Sequence, residues 1–410
     1  MKQLLLLITL PAVLFWASCT TQKNPEEKTN TVMKEGTFAW DKQFLEEKLN
    51  NVITLTSEDS SAMLLLVPAY QGRVMTSTSG GPGGSSYGWI NYDLIASGKI
   101  QEHINAFGGE DRIWLGPEGG QFSLYFKEGD DFSFENWQTP APIDTDPYDV
   151  VSAKTTEVHF QKKFQLPNYS GTIFDIQLDR TVRLLDKSRA ESLLSIQLPG
   201  GTAMVAYESE NQLTNSGQNA WTRETGMPSI WILGMFTPSE NTTILLPYQE
   251  NNTTEKIVTD DYFGKVPAER LTVRDGLARF KGDGKARGKI GMAYGPATNL
   301  AASYSRDLGL LTIVQFSLPE EKKDYVNSLW EIQEDPFNGD VVNAYNDGPL
   351  EDGGQMGPFY ELESSSPAAA LAPGEVLVHT HRTFHFQGEE AQLDEVAKQV
   401  FGKKLAETGL

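Results

Sequence analysis

Cysteine is almost absent from this chain of 410 residues, because Cys19 is the only one. A single cysteine excludes a disulfide framework within the chain. Histidine is scarce as well, with five residues in all. Three of them, His379, His381 and His385, fall within seven positions, so the few imidazoles of the chain are concentrated near its end.

Positive charge is also in short supply. The chain has 34 Lys and Arg against 55 Asp and Glu, which gives a net charge of −21. Nucleic-acid binding needs a basic surface that replaces the counterions of the phosphates. The composition therefore predicts no nucleic-acid partner, whereas a neutral partner such as a sugar meets no such obstacle.

Several catalytic motifs are missing. The sequence has no Gly-x-Ser-x-Gly, His-Glu-x-x-His or EF-hand pattern, so serine hydrolase, zincin and EF-hand functions lose support. Glycines cluster at Gly108-Gly109 and at 116–120, but neither cluster has the Lys-Ser/Thr of a P-loop. These glycines therefore predict turns rather than a phosphate cradle.

A long apolar run occurs only at the N-terminus, from Leu4 to Trp16 after a positive Met1-Lys2. It is shorter than the about 20 residues of a membrane-spanning helix and has the length of a secretory signal peptide. The run ends in Ala17-Ser18-Cys19, which resembles a bacterial lipobox. We therefore predict a signal peptide over residues 1–18 and a lipid on Cys19.

This N-terminal pattern predicts an exported lipoprotein of the periplasm or outer membrane, held to the membrane through its lipid anchor only. Residues 19–36 are polar and predict a flexible tether. The alternative is an ordinary cleaved signal in which the cysteine is incidental.

The rest of the chain has a β pattern. From Phe174 to Leu184 apolar and polar residues alternate, which predicts a long strand with one face on the core. Short runs of Val, Ile, Tyr and Phe between turn residues predict further strands. They are Met63–Val67, Arg112–Leu115, Phe122–Phe126, Val158–Phe164, Leu193–Leu198, Ile230–Phe236, Thr243–Leu246, Leu310–Ser317, Phe359–Glu363 and Val376–Phe386.

Helical spacing is confined to Trp40–Asn50 and to the segment around Leu393–Leu405. No alternation of strands and helices appears, so a doubly wound parallel sheet is not expected. We predict one large antiparallel β-sandwich domain over residues 37–410, with a few short helices.

Four segments carry a resemblance to a known family. They resemble parts of the galactose mutarotase-like (aldose epimerase) superfamily. The opening strands are resembled by Met63–Ser77 and the early Gly-rich segment by Asn105–Phe122. The mid-chain Asn-rich strand is resembled by Asn211–Trp221 and the ending by Glu361–Phe386. The resemblance implies a β-supersandwich that binds a carbohydrate, and it implies no cofactor. It places a sugar-binding arginine at Arg112.

The resemblance also implies a catalytic base. The family places a glutamate at the position of Glu363, and Glu361 lies two residues earlier on the same face of the strand. Sugar ring opening needs a base for the anomeric hydroxyl and an acid for the ring oxygen. The family supplies the acid from a histidine after an asparagine, but this chain has Asn215-Ser216 there. The usual acid is therefore absent from its place.

The histidines of the last predicted strand share one face, because their spacing is two and four residues. Val376, Val378, Phe384 and Phe386 lie on the other face, which we expect to be buried, so the histidines are expected to face a polar surface or a cleft. Three interpretations stay open. They are a polar face without chemistry, a replacement acid (His381) with sugar-binding His379 and His385, and a metal site at His379-x-His381.

The Gly-rich segment adds candidate binding residues. These candidates are Glu110, Arg112, Trp114 and Glu118. Arg112 can form hydrogen bonds with hydroxyl groups, and Trp114 can stack on the apolar face of a pyranose. The alternative is a core tryptophan with a structural ion pair. Asn105 and Asn211, in the segments that resemble the family, complete the predicted substrate-binding set.

Three functions stay open at this point. They are an exported carbohydrate-binding protein that performs acid/base chemistry of the epimerase or lyase type, a non-catalytic glycan-binding lipoprotein, and a metal-dependent sugar enzyme using His379 and His381. For the first, we expect one pocket to collect Arg112, Glu361, Glu363, His379 and His381.

Overall fold

The computed structural model describes residues 34–250, 256–350 and 353–407. The predicted signal peptide, Cys19 and most of the predicted tether lie outside the described residues. From Lys34 onward the chain groups into one compact unit. Among the described residues, no helix has both the length and the apolar character needed to cross a bilayer.

Eighteen strands make up most of the regular structure of the described residues. They are β1 (Ile53–Thr56), β2 (Met63–Val67), β3 (Arg73–Thr78), β4 (Arg112–Gly116), β5 (Asp149–Ala153), β6 (Glu157–Pro167), β7 (Ile173–Leu185), β8 (Ala203–Asn215), β9 (Ser229–Phe236), β10 (Thr242–Pro247), β11 (Leu271–Arg274), β12 (Leu277–Lys281), β13 (Gly288–Ala293), β14 (Leu300–Ser305), β15 (Leu310–Phe316), β16 (Asp340–Asn346), β17 (Tyr360–Ser365) and β18 (Val376–Gln387). Five α-helices accompany them. They are α1 (Phe38–Lys48), α2 (Tyr92–Ser97), α3 (Ala141–Asp144), α4 (Lys187–Leu194) and α5 (Glu390–Phe401).

The strands form three sheets, and all strand pairs within them are antiparallel. The largest sheet has ten strands in the order β11-β12-β10-β14-β15-β18-β8-β7-β6-β5. A second sheet has five, in the order β13-β16-β17-β9-β4, and β1-β2-β3 form a third. The predicted fold class, mainly β with a large antiparallel sandwich and a few short helices, is confirmed.

The main core lies between the ten-stranded and five-stranded sheets. Ile176 and Leu178 of β7 share a buried cluster with Ile230 and Ile232 of β9. The alternation predicted for Phe174–Leu184 is seen from Phe174 to Val182, where every second residue is buried and the residues between them are partly exposed. This packing gives the five-stranded sheet an inner face, which packs against the core, and an outer face.

Helices cover part of the far side of the ten-stranded sheet. Phe384 and Phe386 of β18 pack there with Leu393 and Val396 of α5. β18 is therefore buried on both faces near its end, whereas Val376 and Val378 at its beginning are 45 % and 48 % exposed.

Two predicted strands are wrong. Leu193–Leu198 overlaps the end of α4, whose N-cap Asp186 accepts a hydrogen bond from the Arg189 amide. Phe122–Phe126 has no regular structure. Its aromatic residues are buried in a loop, where Tyr125 stacks on Trp137, so apolar content rather than strand pairing explains that run.

Candidate functional site

A cavity of about 1510 Å³ lies over the outer face of the five-stranded sheet. Its floor comes from that sheet, through Trp231 of β9, Lys289 of β13, Asn343 and Tyr345 of β16, and Ser365 of β17. Strand alternation and register place these side chains on one face. Loops between the strands provide the walls.

Lys289 and Glu363 form a buried ion pair in the floor. The Lys289 Nζ lies 2.9 Å from Glu363 Oε2, and the Trp231 Nε1 donates to the same oxygen at 2.9 Å. The ammonium also lies 4.7 Å from the centre of the Trp231 ring. Burial lowers the pKa of Lys289, but the negative charges of Glu363 and Glu118 outweigh it and raise this pKa above its ordinary value. Lys289 is therefore a fixed cation.

A second ion pair lies beside the first. Arg112 Nη2 of β4 lies 2.9 Å from Glu361 Oε1 of β17, with both side chains buried. The guanidinium stacks 4.2 Å from the Trp114 ring centre. Burial raises the pKa of Glu361 to about 7, although Arg112 opposes this. Arg112, Glu361 and Glu363 therefore lie together in a layer under the cavity and do not line it.

A carboxyl group with a raised pKa lines the cavity at Asp340. Burial raises the pKa of Asp340 to about 6, although a hydrogen bond from the Tyr262 hydroxyl opposes this. Asn343 Nδ2 donates to the same hydroxyl at 3.2 Å. Gly291 of β13 makes room for the group, because a Cβ there would lie 2.1 Å from Asp340 and 2.3 Å from Asn343.

A second such carboxyl group is Glu118, in the loop after β4. It lines the cavity and accepts a hydrogen bond from Trp330 Nε1 at 3.2 Å. Burial raises the pKa of Glu118, and Lys289 and Trp330 only partly oppose the effect. Two cavity carboxyls with raised pKa values beside one fixed cation are suited to donating and accepting protons.

The prediction for the His379 and His381 side chains is wrong. Both are fully buried and point inward, where each lies 2.8 Å from the Ser364 hydroxyl oxygen of β17. Burial lowers the pKa of His379 to about 3 and that of His381 to about 4. The sequence argument failed because Val376 and Val378, on the face expected to be buried, are exposed, whereas only the Phe384 and Phe386 end of that face is covered by α4 and α5.

The expected pairing of Glu363 with a histidine is wrong for the same reason. Glu363 and Ser364 are neighbours on one strand, so they point to opposite faces of the five-stranded sheet. Glu363 lies under the cavity, whereas His379 and His381 lie with Ser364 between the sheets. Within the part of the chain that the structure describes, no group of three His, Cys, Asp or Glu residues could hold a metal ion.

The predicted sugar-binding roles of His385 and Glu110 conflict with their position. Both side chains are fully buried, and His385 Nε2 lies 3.0 Å from Glu110 Oε2. The Tyr207 hydroxyl donates to the same oxygen at 3.0 Å, and the Thr312 hydroxyl bonds His385 Nδ1 at 2.8 Å. The pair is a structural link between strands, and neither residue lines the cavity.

The two predicted asparagines are internal as well. Asn211 of β8 accepts a hydrogen bond from Arg180 Nη1 at 2.7 Å, next to the buried Arg180–Asp111 ion pair. Asn105 donates to Asp144 Oδ2 at 2.7 Å. Neither lines the cavity, and Trp114, buried under Trp231, does not line it either. Their predicted contacts with a substrate therefore have no counterpart in this geometry.

Sequence reasoning missed most of the cavity. Lys289, Trp231, Tyr262 and Asp340 belong to none of the segments that resemble a family. The signal that could have found Lys289 is the alternation of side-chain directions in β13, because the lysine lies between the buried residues Gly288 and Ile290. His103, a loop residue that lines the cavity and lies 2.7 Å from the Trp137 carbonyl oxygen, had no such signal.

Several solved structures are similar to this chain over most of its length. A protein from Synechocystis sp. PCC 6803 is 14 % identical with a TM-score of 0.49, and the match covers 83 % of this chain and 96 % of that one. A galactose mutarotase-like protein from Lactobacillus casei ATCC 334 is 10 % identical with a TM-score of 0.46 over 82 % and 100 % of the two chains. A galactose mutarotase related enzyme from Lactobacillus acidophilus is 8 % identical with a TM-score of 0.45 over 82 % and 98 %.

Identities of 14 % or less carry no information on activity. A comparison with curated proteins found no match. The family model described as "Family of unknown function (DUF6786)" matches residues 36–409, and the chain therefore belongs to that family.

Proposed function

We propose that this protein binds a carbohydrate in the cavity over the five-stranded sheet. The observation that carries the proposal is the composition of the cavity, which combines aromatic side chains with buried, hydrogen-bonding polar groups. Trp231, Tyr262, Tyr345 and Trp330 supply apolar ring surface, while Asn343 and other polar groups supply donors and acceptors. Ligand sites are lined in this way, mostly by apolar surface with a few fixed polar groups.

The charges of the site favour a neutral ligand. Three Lys and Arg side chains line the cavity, against five carboxyl groups. The carboxyl groups belong to Asp93, Glu102, Glu118, Asp340 and Asp347. An anionic sugar would meet an excess of negative charge, whereas hydroxyl groups can bond carboxylates and ammonium groups alike. This agrees with the acidic composition of the whole chain.

The proposal extends to proton transfer on the bound sugar. Glu118 and Asp340 line the cavity, and both have raised pKa values. We assign them the acid and base functions that the sequence led us to expect from Glu363 and His381. Lys289 holds Glu363 as an ion pair and stabilises negative charge that develops above the floor.

A non-catalytic glycan-binding protein is the second candidate. It is favoured by one observation, namely that His379 and His381 lie on the far side of the sheet from the cavity. Glu118→Gln and Asp340→Asn separate the two candidates. If the chain is an enzyme, each variant keeps its glycan affinity within a few-fold and loses turnover. If the wild type binds without turning over any bound sugar, the second candidate holds.

The binding proposal is tested by a glycan array and by calorimetry with mono-, di- and oligosaccharides. Ser365→Tyr places a ring on the cavity floor and is expected to weaken binding at least about tenfold. Ser192→Tyr, an exposed position on α4, is the matched control and is expected to bind as the wild type does. Absence of binding by the wild type, or equal binding by Ser365→Tyr, would contradict the proposal.

We also propose that the chain is exported and anchored to a membrane through Cys19. The support is the apolar run Leu4–Trp16 followed by Ala17-Ser18-Cys19. Full-length protein is expected in the membrane fraction of an expressing bacterium, and Cys19→Ser is expected to release it. Unchanged partitioning of Cys19→Ser would leave an ordinary signal peptide as the better interpretation.

A further inference from the structure

Large apolar side chains that are exposed to solvent collect around the cavity. Fourteen such side chains occur among the described residues, and six of them line this one cavity. They are Ile100 (67 % exposed), Phe134 (54 %), Phe263 (47 %), Leu350 (45 %), Leu329 (39 %) and Met356 (36 %). We call these six the apolar rim. A concentration of exposed apolar surface around a polar-floored cavity marks a binding surface.

Both phenylalanines of the apolar rim are held in place although they are exposed. The Phe134 ring lies 4.5 Å from the His103 ring and 6.1 Å from the Trp137 ring. The Phe263 ring lies 3.9 Å from the Arg287 guanidinium carbon. These contacts fix the rings while leaving about half of each side chain free to contact a ligand.

The cavity therefore has two chemically different levels. Its floor holds Lys289, Asn343 and the carboxyl of Asp340, whereas the rim offers aliphatic and aromatic carbon. Sugar hydroxyls gain hydrogen bonds at the floor, but aliphatic side chains such as Ile100 and Leu350 offer them none. A ligand that covers the rim gains by removing its apolar surface from water.

We propose that the ligand is a sugar that carries an apolar group, namely a glycoside or ester with an alkyl or acyl chain. The sugar binds at the floor and the chain lies along the apolar rim. This inference rests on the proposed carbohydrate function and adds the substrate class. The volume agrees, because about 1510 Å³ exceeds the about 300–1,000 Å³ of ordinary ligand pockets and leaves room beside a sugar.

The test compares methyl and octyl β-glycosides of glucose, galactose and N-acetylglucosamine by calorimetry with the purified chain, below the micelle concentration. At least one octyl glycoside is expected to bind about tenfold or more tighter than its methyl counterpart. Burial of about two of the seven additional methylene groups suffices for that ratio.

Paired variants locate the effect. Phe134→Ser with Phe263→Ser is expected to reduce the octyl advantage, measured as the ratio of the methyl and octyl dissociation constants of the same variant, to less than about threefold. Val376→Ser with Val378→Ser removes comparable exposed apolar surface on β18 and is the matched control, expected to keep the full advantage. Loss of the advantage in the control as well would contradict a specific role of the rim.

The remaining outcomes distinguish this inference from the function on which it rests. Equal affinity for methyl and octyl glycosides, or binding of neither, overturns the inference, while binding on the glycan array would still support the carbohydrate proposal. Tighter binding of hexasaccharides with no octyl advantage makes the rim a set of sugar subsites and also overturns it. If octyl tetraethylene glycol ether, which has no sugar, binds as tightly as the octyl glycoside, both proposals are wrong.

Discussion

Single charged residues define the site, because four of them lie together, with Lys289 in the cavity floor and Glu363, Arg112 and Glu361 buried beneath it. Lys289 pairs with Glu363, and Arg112 pairs with Glu361. Removing charges from water is costly, and a buried pair is weak evidence of stabilisation. We infer that these pairs fix the floor of the site, and that removing one partner is far more harmful than removing both.

Lys289→Met is expected to destabilise the protein by about 3–5 kcal/mol, because it leaves the Glu363 carboxylate buried without its cation. Lys289→Met with Glu363→Gln is expected to recover part of that loss. Urea unfolding followed by circular dichroism measures both. Lys285→Met, which removes one partner of the exposed Lys285–Glu240 pair, is the control and is expected to change nothing measurable. Equal loss in the single and double variants would contradict a buried pair.

Asp340 is expected to make stability depend on pH in a defined direction. Burial raises its pKa from 3.8 to about 6, so the folded chain holds a proton that the unfolded chain has released. The stability that this proton brings is present below about pH 4 and is lost as the pH rises through 6.

Asp340→Asn removes that dependence. The free energy of unfolding of the variant, relative to the wild type, is expected to rise between pH 4 and pH 7. Urea unfolding at four pH values measures the difference, and Asp261→Asn, at an exposed position, is expected to show none. A constant difference for Asp340→Asn would show that the pKa of Asp340 is not raised.

Single elements show what the sequence could and could not predict. The alternation in β7 identified a strand with one buried face, because only one side of that strand meets the core. The same rule failed on β18, because its Val376 and Val378 are exposed while α4 and α5 cover only the Phe384 and Phe386 end of that face. Strand spacing also placed Glu361 and Glu363 on one face. It could not tell which face carries the cavity, because that depends on how distant loops close over the sheet.

Ser364 of β17 joins the two large sheets through one hydroxyl group. It lies 2.8 Å from His379 Nε2 and 2.8 Å from His381 Nδ1, so it donates to one imidazole and accepts from the other. Ser364→Ala leaves two buried ring nitrogens without this partner and is expected to cost about 1–3 kcal/mol. Ser229→Ala is the matched control, because the Ser229 hydroxyl is buried and has no hydrogen-bond partner in the part of the chain described. Equal costs in chemical denaturation would refute the bridge.

At the scale of the whole molecule, residues from Lys34 onward group together although their strands belong to three sheets. The predicted domain, residues 37–410, stays a prediction about folding. The five-stranded sheet takes strands from β4 to β17, so the cavity floor needs residues 112–365 to be in place. A part of the chain is therefore not expected to keep the site.

Limited proteolysis tests whether the chain folds as one cooperative unit. The polar composition of residues 19–36 predicts trimming within the first thirty-odd residues, followed by one large resistant product. Mass spectrometry of the products identifies its ends. Two stable fragments of similar size would contradict the single domain.

The location of a bound sugar tests the central claim most directly. Crystals of the protein are soaked with the glycan that binds best on the array, and the difference density shows where it lies. We predict density for a sugar over the outer face of the five-stranded sheet, in contact with Trp231 and beside Lys289. A glycan bound on the ten-stranded sheet or elsewhere on the surface, with the cavity empty, would contradict the account.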